Sequence, residues 1–133
     1  SYKDYDYLKV TEDQVAPILS GEIAALMRVG DRNCYRVGTV LDMKTGPQDI
    51  SLGKVLVMQV EIVPIGKLDK THAAAMNMPL ADLQAAAQKQ IDQVKNSAKP
   101  FDTKNSLNFT FFEVIPSPPA APSNNSPQAP TGG

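Results

Sequence analysis

The chain has one cysteine, one histidine and no tryptophan in 133 residues. A lone Cys34 cannot form an internal disulfide. With His72 it supplies two ligands where a structural zinc site needs about four, so a Cys/His zinc site is excluded and no other metal or cofactor motif stands out. No cysteine framework points to an oxidising compartment. No apolar run approaches the roughly 20 residues of a membrane span. Charge of one sign is also lacking: 13 Lys+Arg against 14 Asp+Glu leave a net charge of -1. A protein that lives by neutralising phosphates carries a basic stripe; here acidic and basic residues interleave. The opening stretch Ser1–Tyr7 lacks the apolar region of a signal peptide. The expectation is a soluble protein made in the cytoplasm, with no membrane partner and one hydrophobic core.

Three segments follow from composition. Residues 1–6 read as a polar arm in which Tyr2 and Tyr5 are candidate partner contacts, since tyrosine is enriched at interface hot spots; a frayed first strand is the plainer alternative. Residues 7–115 carry the periodic patterns of a folded domain. Residues 116–133 hold six of the eleven prolines, no charge and no large apolar side chain. Such a segment cannot bury enough surface to offset its ordering entropy. It reads as an extended, polyproline-like tail whose Pro118, Pro119 and Pro122 are candidate partner contacts. It is either a solubilising extension or an arm that orders along a neighbouring subunit, and the second is the expectation carried forward.

Within the domain, Tyr7–Val10 alternates as a first strand. Thr11, Glu12 and Asp13 open a short helix that Gly21 stops. Ile23–Met27 is a continuous apolar run, expected as a strand buried on both faces, and Val37–Met43 returns to strand. Lys54–Ile65 is the clearest strand: Leu56, Met58, Val60 and Ile62 form a fully apolar face expected to meet the core, and Val55, Val57, Gln59, Glu61 and Val63 a half-polar one. Pro79 opens a long helix expected to run to residue 98, with Leu80, Leu83, Ala87, Ile91, Val94 and Ala98 on one face. Asp92 and Lys95 are spaced to pair. Leu107–Ile115 reads as a last, deeply buried strand.

Two stretches carry a family resemblance. Ile18-Leu19-Ser20-Gly21, then an apolar strand to Arg28 and an arginine-bearing loop, followed by Tyr35-Arg36-Val37-Gly38-Thr39-Val40-Leu41, resembles the ASCH domains of the PUA-like superfamily. Thr71-His72-Ala73-Ala74-Ala75-Met76-Asn77-Met78-Pro79-Leu80-Ala81-Asp82-Leu83 is similar to the His-Ala-x-x-Glu-Asn-Met-x-Leu stretch of small bacterial ASCH proteins, some of which are amidohydrolases acting on N4-acetylcytidine. The resemblance spans roughly residues 7–115. It implies an α+β fold, a small mixed β-barrel of five or six strands with one short and one long helix packed on it.

The resemblance also implies where a reaction would occur. The amidohydrolases use a lysine and a threonine on the strand after the glycine and a glutamate before Asn-Met, for base-activated attack and proton relay. At the matching positions this chain has Ile23, Leu26 and Met76, none of which can move a proton. No catalytic residue is therefore expected. What remains polar is Arg28, Arg32 and Arg36, suited as phosphate or carboxylate clamps, and His72. Arg28 could instead pair with Asp31 or Glu61, and His72 could make a structural hydrogen bond. The leading expectation is a non-catalytic interaction or structural protein whose partners are other proteins or neighbouring subunits of an assembly. Phage and virion accessory proteins, capsid decoration proteins among them, reuse small β-rich folds in this way, which is an analogy of architecture. A non-catalytic reader of RNA or of a modified nucleoside is the alternative, with nucleic acid the less favoured partner; a divergent amidohydrolase comes last.

Overall fold

The computed structural model describes residues 7–29, 35–45, 50–96 and 105–116. They form five strands and three helices: β1 (Tyr7–Val10), α1 (Glu12–Ser20), β2 (Ala25–Val29), β3 (Val40–Thr45), β4 (Lys54–Pro64), α2 (Lys70–Ala75), α3 (Leu80–Lys95) and β5 (Ser106–Ile115), with a single 3-10 turn at Ile65–Lys67 before α2. The strands make one mixed sheet in the order β1-β3-β4-β5-β2. β1 runs parallel to β3, and every other pair is antiparallel. The sheet is an open half-barrel within an α+β fold. Arg32, Cys34, Tyr2, Tyr5, Pro118, Pro119, Pro122 and Ala98 lie outside the described residues.

Local chemistry sets the helix ends. The Gln14 side chain accepts the Thr11 backbone N–H at 3.0 Å, and Glu12 and Asp13 sit at the positive end of the α1 dipole. Gly21 adopts φ 86°, the left-handed stop that only glycine takes cheaply. Helix α2, which the pattern of apolar residues does not announce, is built by its cap. Asp69 Oδ1 accepts the N–H groups of Thr71 and His72 at 2.9 and 3.3 Å. Asn77, at φ 58°, turns the chain from α2 into α3. α3 buries Leu83, Ala87 and Ile91 in one row. Asp92 and Lys95 do not need each other there: Gln88 donates to Asp92 at 2.9 Å, and Lys95 donates to Asn105 at 2.7 Å.

The core divides between the two faces of the sheet. On the outer face Ala25, Met27, Val63, Leu107 and Phe109 pack under α2 and α3. On the inner face Leu8, Val10, Leu41, Met43, Val55, Val57 and Phe112 close around Ile18 of α1 and Tyr35. β5 serves both, with Leu107 and Phe109 in the first cluster and Phe112 in the second.

The faces of β4 differ from a strict period of two. Val55, Val57 and Val63 are buried, whereas Met58 and Ile62 are 50% and 41% exposed. The cause is a β-bulge: Val57 pairs with Phe112 and Gln59 with Phe111, leaving Met58 as the extra residue. A bulge shifts the alternation by one. Val55 and Val57 point inward before it; Val60 packs inward and Val63 outward after it. The apolar row Leu56-Met58-Val60-Ile62 is therefore no single face.

Candidate functional site

β1 and β2 are the two edges of the sheet. The half-barrel leaves them apart, and a cavity of about 230 Å³ lies in the seam between them. Tyr7, Leu8 and Lys9 line it from β1, and Leu26, Met27 and Arg28 from β2. Gln14 of α1, Tyr35 and Thr110 of β5 complete the lining. Tyr35 is buried, and its hydroxyl donates to the Tyr7 carbonyl at 3.0 Å, which ties the segment before β3 to the β1 edge. Thr110 is buried on the inner side of β5, between Phe109 and Phe111, which both pack into the outer cluster.

The chemistry of this seam is cationic and donor-rich. Lys9 and Arg28 are exposed at its rims, and two tyrosines, a glutamine and a threonine offer hydrogen bonds. Among the described residues no carboxylate, histidine or cysteine lines it. Among the described residues no group of His, Cys, Asp and Glu could hold a metal ion, and no helix is long and apolar enough to cross a membrane.

The positions matched to the amidohydrolase trio separate onto two faces. Ile23 and Leu26 pack against the inner cluster, and Met76 against the outer one. The Ala24 N–H to Ala75 carbonyl bond, 2.7 Å, brings the two segments together without joining those side chains in one pocket. Leu26 alone of the three lines the seam.

His72 sits across the sheet from the seam, 4% exposed. Its Nδ1 accepts the Asp69 backbone N–H at 3.1 Å, and its Nε2 lies 3.1 Å from Glu61 Oε1. A nitrogen that accepts a backbone N–H carries no proton of its own, so Nε2 is the donor to Glu61 in the neutral ring. The imidazole also lies against Phe109, with centroids 4.8 Å apart. Asp69, which caps α2, has its carboxyl held below the usual range, first by the His72 backbone N–H and then by that of Thr71, against an opposing desolvation. A second carboxylate, Asp42, is lowered by hydrogen bonds from Lys54 at 2.9 Å and Ser51 at 2.8 Å on the outside of β3.

Arg28 thus reaches the seam, and Arg36 does not line it; Arg36 is exposed in the turn where the Thr39 N–H meets its carbonyl. Glu61 is engaged by His72 on the opposite face from Arg28. Sequence reasoning missed Lys9, Gln14, Tyr35 and Thr110. Thr110 had a signal, as the one polar break in Phe109-Thr110-Phe111-Phe112; Lys9 and Gln14 had none, because only the closing of β1 toward β2 gathers them.

No protein-family model matches the chain, and no curated protein matches it. Solved structures do resemble it. Protein EF3133 of Enterococcus faecalis V583, of the DUF984 family, superposes with a TM-score of 0.63 at 20% identity over 77% of this chain and 67% of its own. An ASCH domain from Lactobacillus crispatus JV V101 gives a TM-score of 0.63 at 17% identity over 84% of this chain and 78% of its own. The hypothetical protein PH0355 gives 0.60 at 13% identity over 85% of this chain and 100% of its own. At such identities the likeness speaks for the fold alone, and it agrees with the strand order, the helix pair and the two matched sequence stretches: the chain folds as an ASCH-type domain.

Proposed function

We propose that this ASCH-type domain is a non-catalytic interaction module, a component of a larger assembly that it joins through the outer face of its sheet. One observation carries the reading. α2 and α3 cover only one half of that face. On the other half Val40 lies opposite Leu56 in the β3–β4 ladder and Leu56 opposite Glu113 in the β4–β5 ladder. Val40 and the bulged Met58 are each 50% exposed. Val40, Leu56 and Met58 belong to neither core cluster, and Met58 borders the end of α1 at Leu19 and Ser20. Contiguous apolar surface left on a small domain marks a contact site. The apolar residues at Ile23, Leu26 and Met76 support a role by contact and not by reaction.

The test is a density-gradient fractionation of the native source. The protein is expected to migrate with a large particle, and a V40K/M58K variant to remain near the top. A wild-type chain found only in the light fractions removes the reading. On the enzymatic side, N4-acetylcytidine incubated with the protein is expected to release acetate no faster than buffer does; turnover abolished by a substitution in the seam would refute the absence of catalysis.

A second reading is favoured by the seam itself. Its two cations and two tyrosines suit a nucleoside phosphate, as a non-catalytic reader of RNA or of a modified nucleoside would need. Titration of cytidine 5′-phosphate into isotope-labelled protein would move the Arg28, Tyr35 and Thr110 signals if this is right, and R28A would abolish the response. Unmoved signals at millimolar nucleotide would dismiss it.

A further inference from the structure

The apolar strip on the outer sheet face has a natural occupant in this same sequence. We propose that it seats the proline-rich C-terminal segment, residues 117–133, of a neighbouring copy of the chain. The inference rests on the assembly reading above and names the partner.

Position comes first. β5 ends at Ile115, which pairs with Lys54 at the start of β4, and Leu56 is two residues further along that strand. Each copy therefore releases its C-terminal segment at the border of its own strip. Proximity alone would favour self-occupation, so direction decides. To cover its own strip the chain must reverse immediately after Pro116. The sequence there is Pro116-Ser117-Pro118-Pro119. Ser117 and Pro118 each precede a proline, and a residue before proline is driven out of the helical region that a tight reversal uses. There is no glycine before Gly132 to supply a left-handed turn. The local sequence opposes an immediate reversal, which favours a neighbouring copy over self-occupation.

Reach and chemistry agree with a second copy. Seventeen residues, 117–133, at ~3.1 Å each in polyproline form extend ~53 Å, enough to cross a neighbouring domain. The segment has no charge and its prolines present rigid apolar rings, so it loses less entropy on docking than a Gly/Ser chain would. An uncharged, proline-rich strand laid on apolar side chains resembles the general mode in which polyproline segments are recognised, with the exposed Val40 and Met58 and the half-buried Leu56 in place of an aromatic groove.

The experiment uses two populations of the full chain at about millimolar concentration. One carries a nitroxide at residue 125, introduced by N125C in a C34S background; the other is isotope-labelled and unmodified. Mixing is expected to halve, or more, the amide intensities of Val40, Leu56 and Met58 in the isotope-labelled copies, while Ile91, buried between α3 and the covered half of the sheet, keeps its intensity. M58K in the isotope-labelled population is expected to restore the signals, and V40K does the same if M58K disturbs the bulge. Unchanged intensities at the strip in the mixture overturn the inference. So does broadening that appears only when both labels are on one molecule and survives dilution, which would mean self-occupation. The gradient experiment separates the two ideas: migration with a particle together with a silent mixture leaves the assembly reading standing and removes only this occupant.

Discussion

The two halves of the outer sheet face are made of the same strands and are treated differently. Toward the Pro64 end of β4, Val63, Leu107 and Phe109 are almost fully buried under α2 and α3. Toward the Lys54 end, Val40 and Met58 are half exposed and the neighbouring polar groups, Asp42, Lys54 and Ser51, bond one another at the surface. The boundary is the bulge at Met58. Before it the outward residues of β4 are even-numbered; after it they are odd-numbered. One extra residue thus puts Val63 under the helices, and it leaves Met58 with no pairing partner on β5. A bulge in a strand of this kind re-aims side chains as a feature of the fold. Here it separates a half that stabilises the domain from a half that is left for contact.

The largest expected effect breaks the covered half. Val63→Asp places an unpaired carboxylate at a position 3% exposed, at a cost of several kcal/mol. That is a large fraction of the ~5–15 kcal/mol by which domains are stable. The variant is expected to be largely unfolded by circular dichroism. Ile62→Asp, one residue away and 41% exposed, is expected to melt cooperatively and close to wild type. The sequence pattern alone predicts the reverse order, so the pair tests whether the bulge has been placed correctly. Damage in the reverse order, severe for Ile62→Asp and mild for Val63→Asp, would mean that the alternation runs unbroken.

That pair also shows what could be read from the sequence and what could not. Helix α1, helix α3 and strands β1 and β5 were legible because each carries its own signal: Thr11 with its acidic neighbours and Gly21, Pro79 with the row Leu83-Ala87-Ile91, alternation at Tyr7–Val10, and the phenylalanine run of β5. β4 was legible as a strand and illegible in its faces, because all four of Leu56, Met58, Val60 and Ile62 are apolar and nothing local marks an extra residue. α2 was hidden because its buried residues are few, His72 and Ala73, and its stability comes from the Asp69 cap. The seam was hidden for another reason. Its residues come from β1, α1, β2, β5 and the segment at Tyr35, and only the strand order makes β1 and β2 the facing edges. Arg28 was found because it stands in a matched motif. Lys9 was not, since a lysine on a short alternating strand looks like any solvated one.

An intermediate effect is expected at the capping node that holds α2 over the covered half. Asp69→Ala removes the acceptor of two backbone N–H groups, so the melting temperature should fall, by less than Val63→Asp lowers it. The pH dependence has a definite sign. The folded carboxyl titrates below its ordinary value, so the unfolded state binds the proton more readily. The stabilisation is fully present above the unfolded value, about 3.9, and is lost as pH falls through the folded one. The difference in stability between wild type and Asp69→Ala should be constant from pH 7 to 5 and shrink below about pH 4. A difference that grows on acidification would place the origin of the effect elsewhere than this carboxylate.

The smallest expected effect on stability is on the uncovered half, and it is the one that tests what that half is for. Met58 occupies the extra position of the bulge, outside the ladder register, with half of its surface in water. Replacing it by lysine removes little buried area, and the long aliphatic stem of lysine can lie where the methionine lay while its ammonium reaches solvent. Glu113, exposed across the ladder beside Leu56, offers a counter-charge. The change should therefore move the unfolding free energy by no more than about 0.5 kcal/mol, the usual range for a surface site. A docked apolar segment would feel the same substitution strongly, because the ammonium would have to lose water or the contact would have to open. Denaturant unfolding and association measured on the same Met58→Lys preparation separate the two. Unchanged unfolding with weakened association marks the strip as a contact surface, whereas unchanged values of both would show that its exposed side chains serve neither folding nor binding.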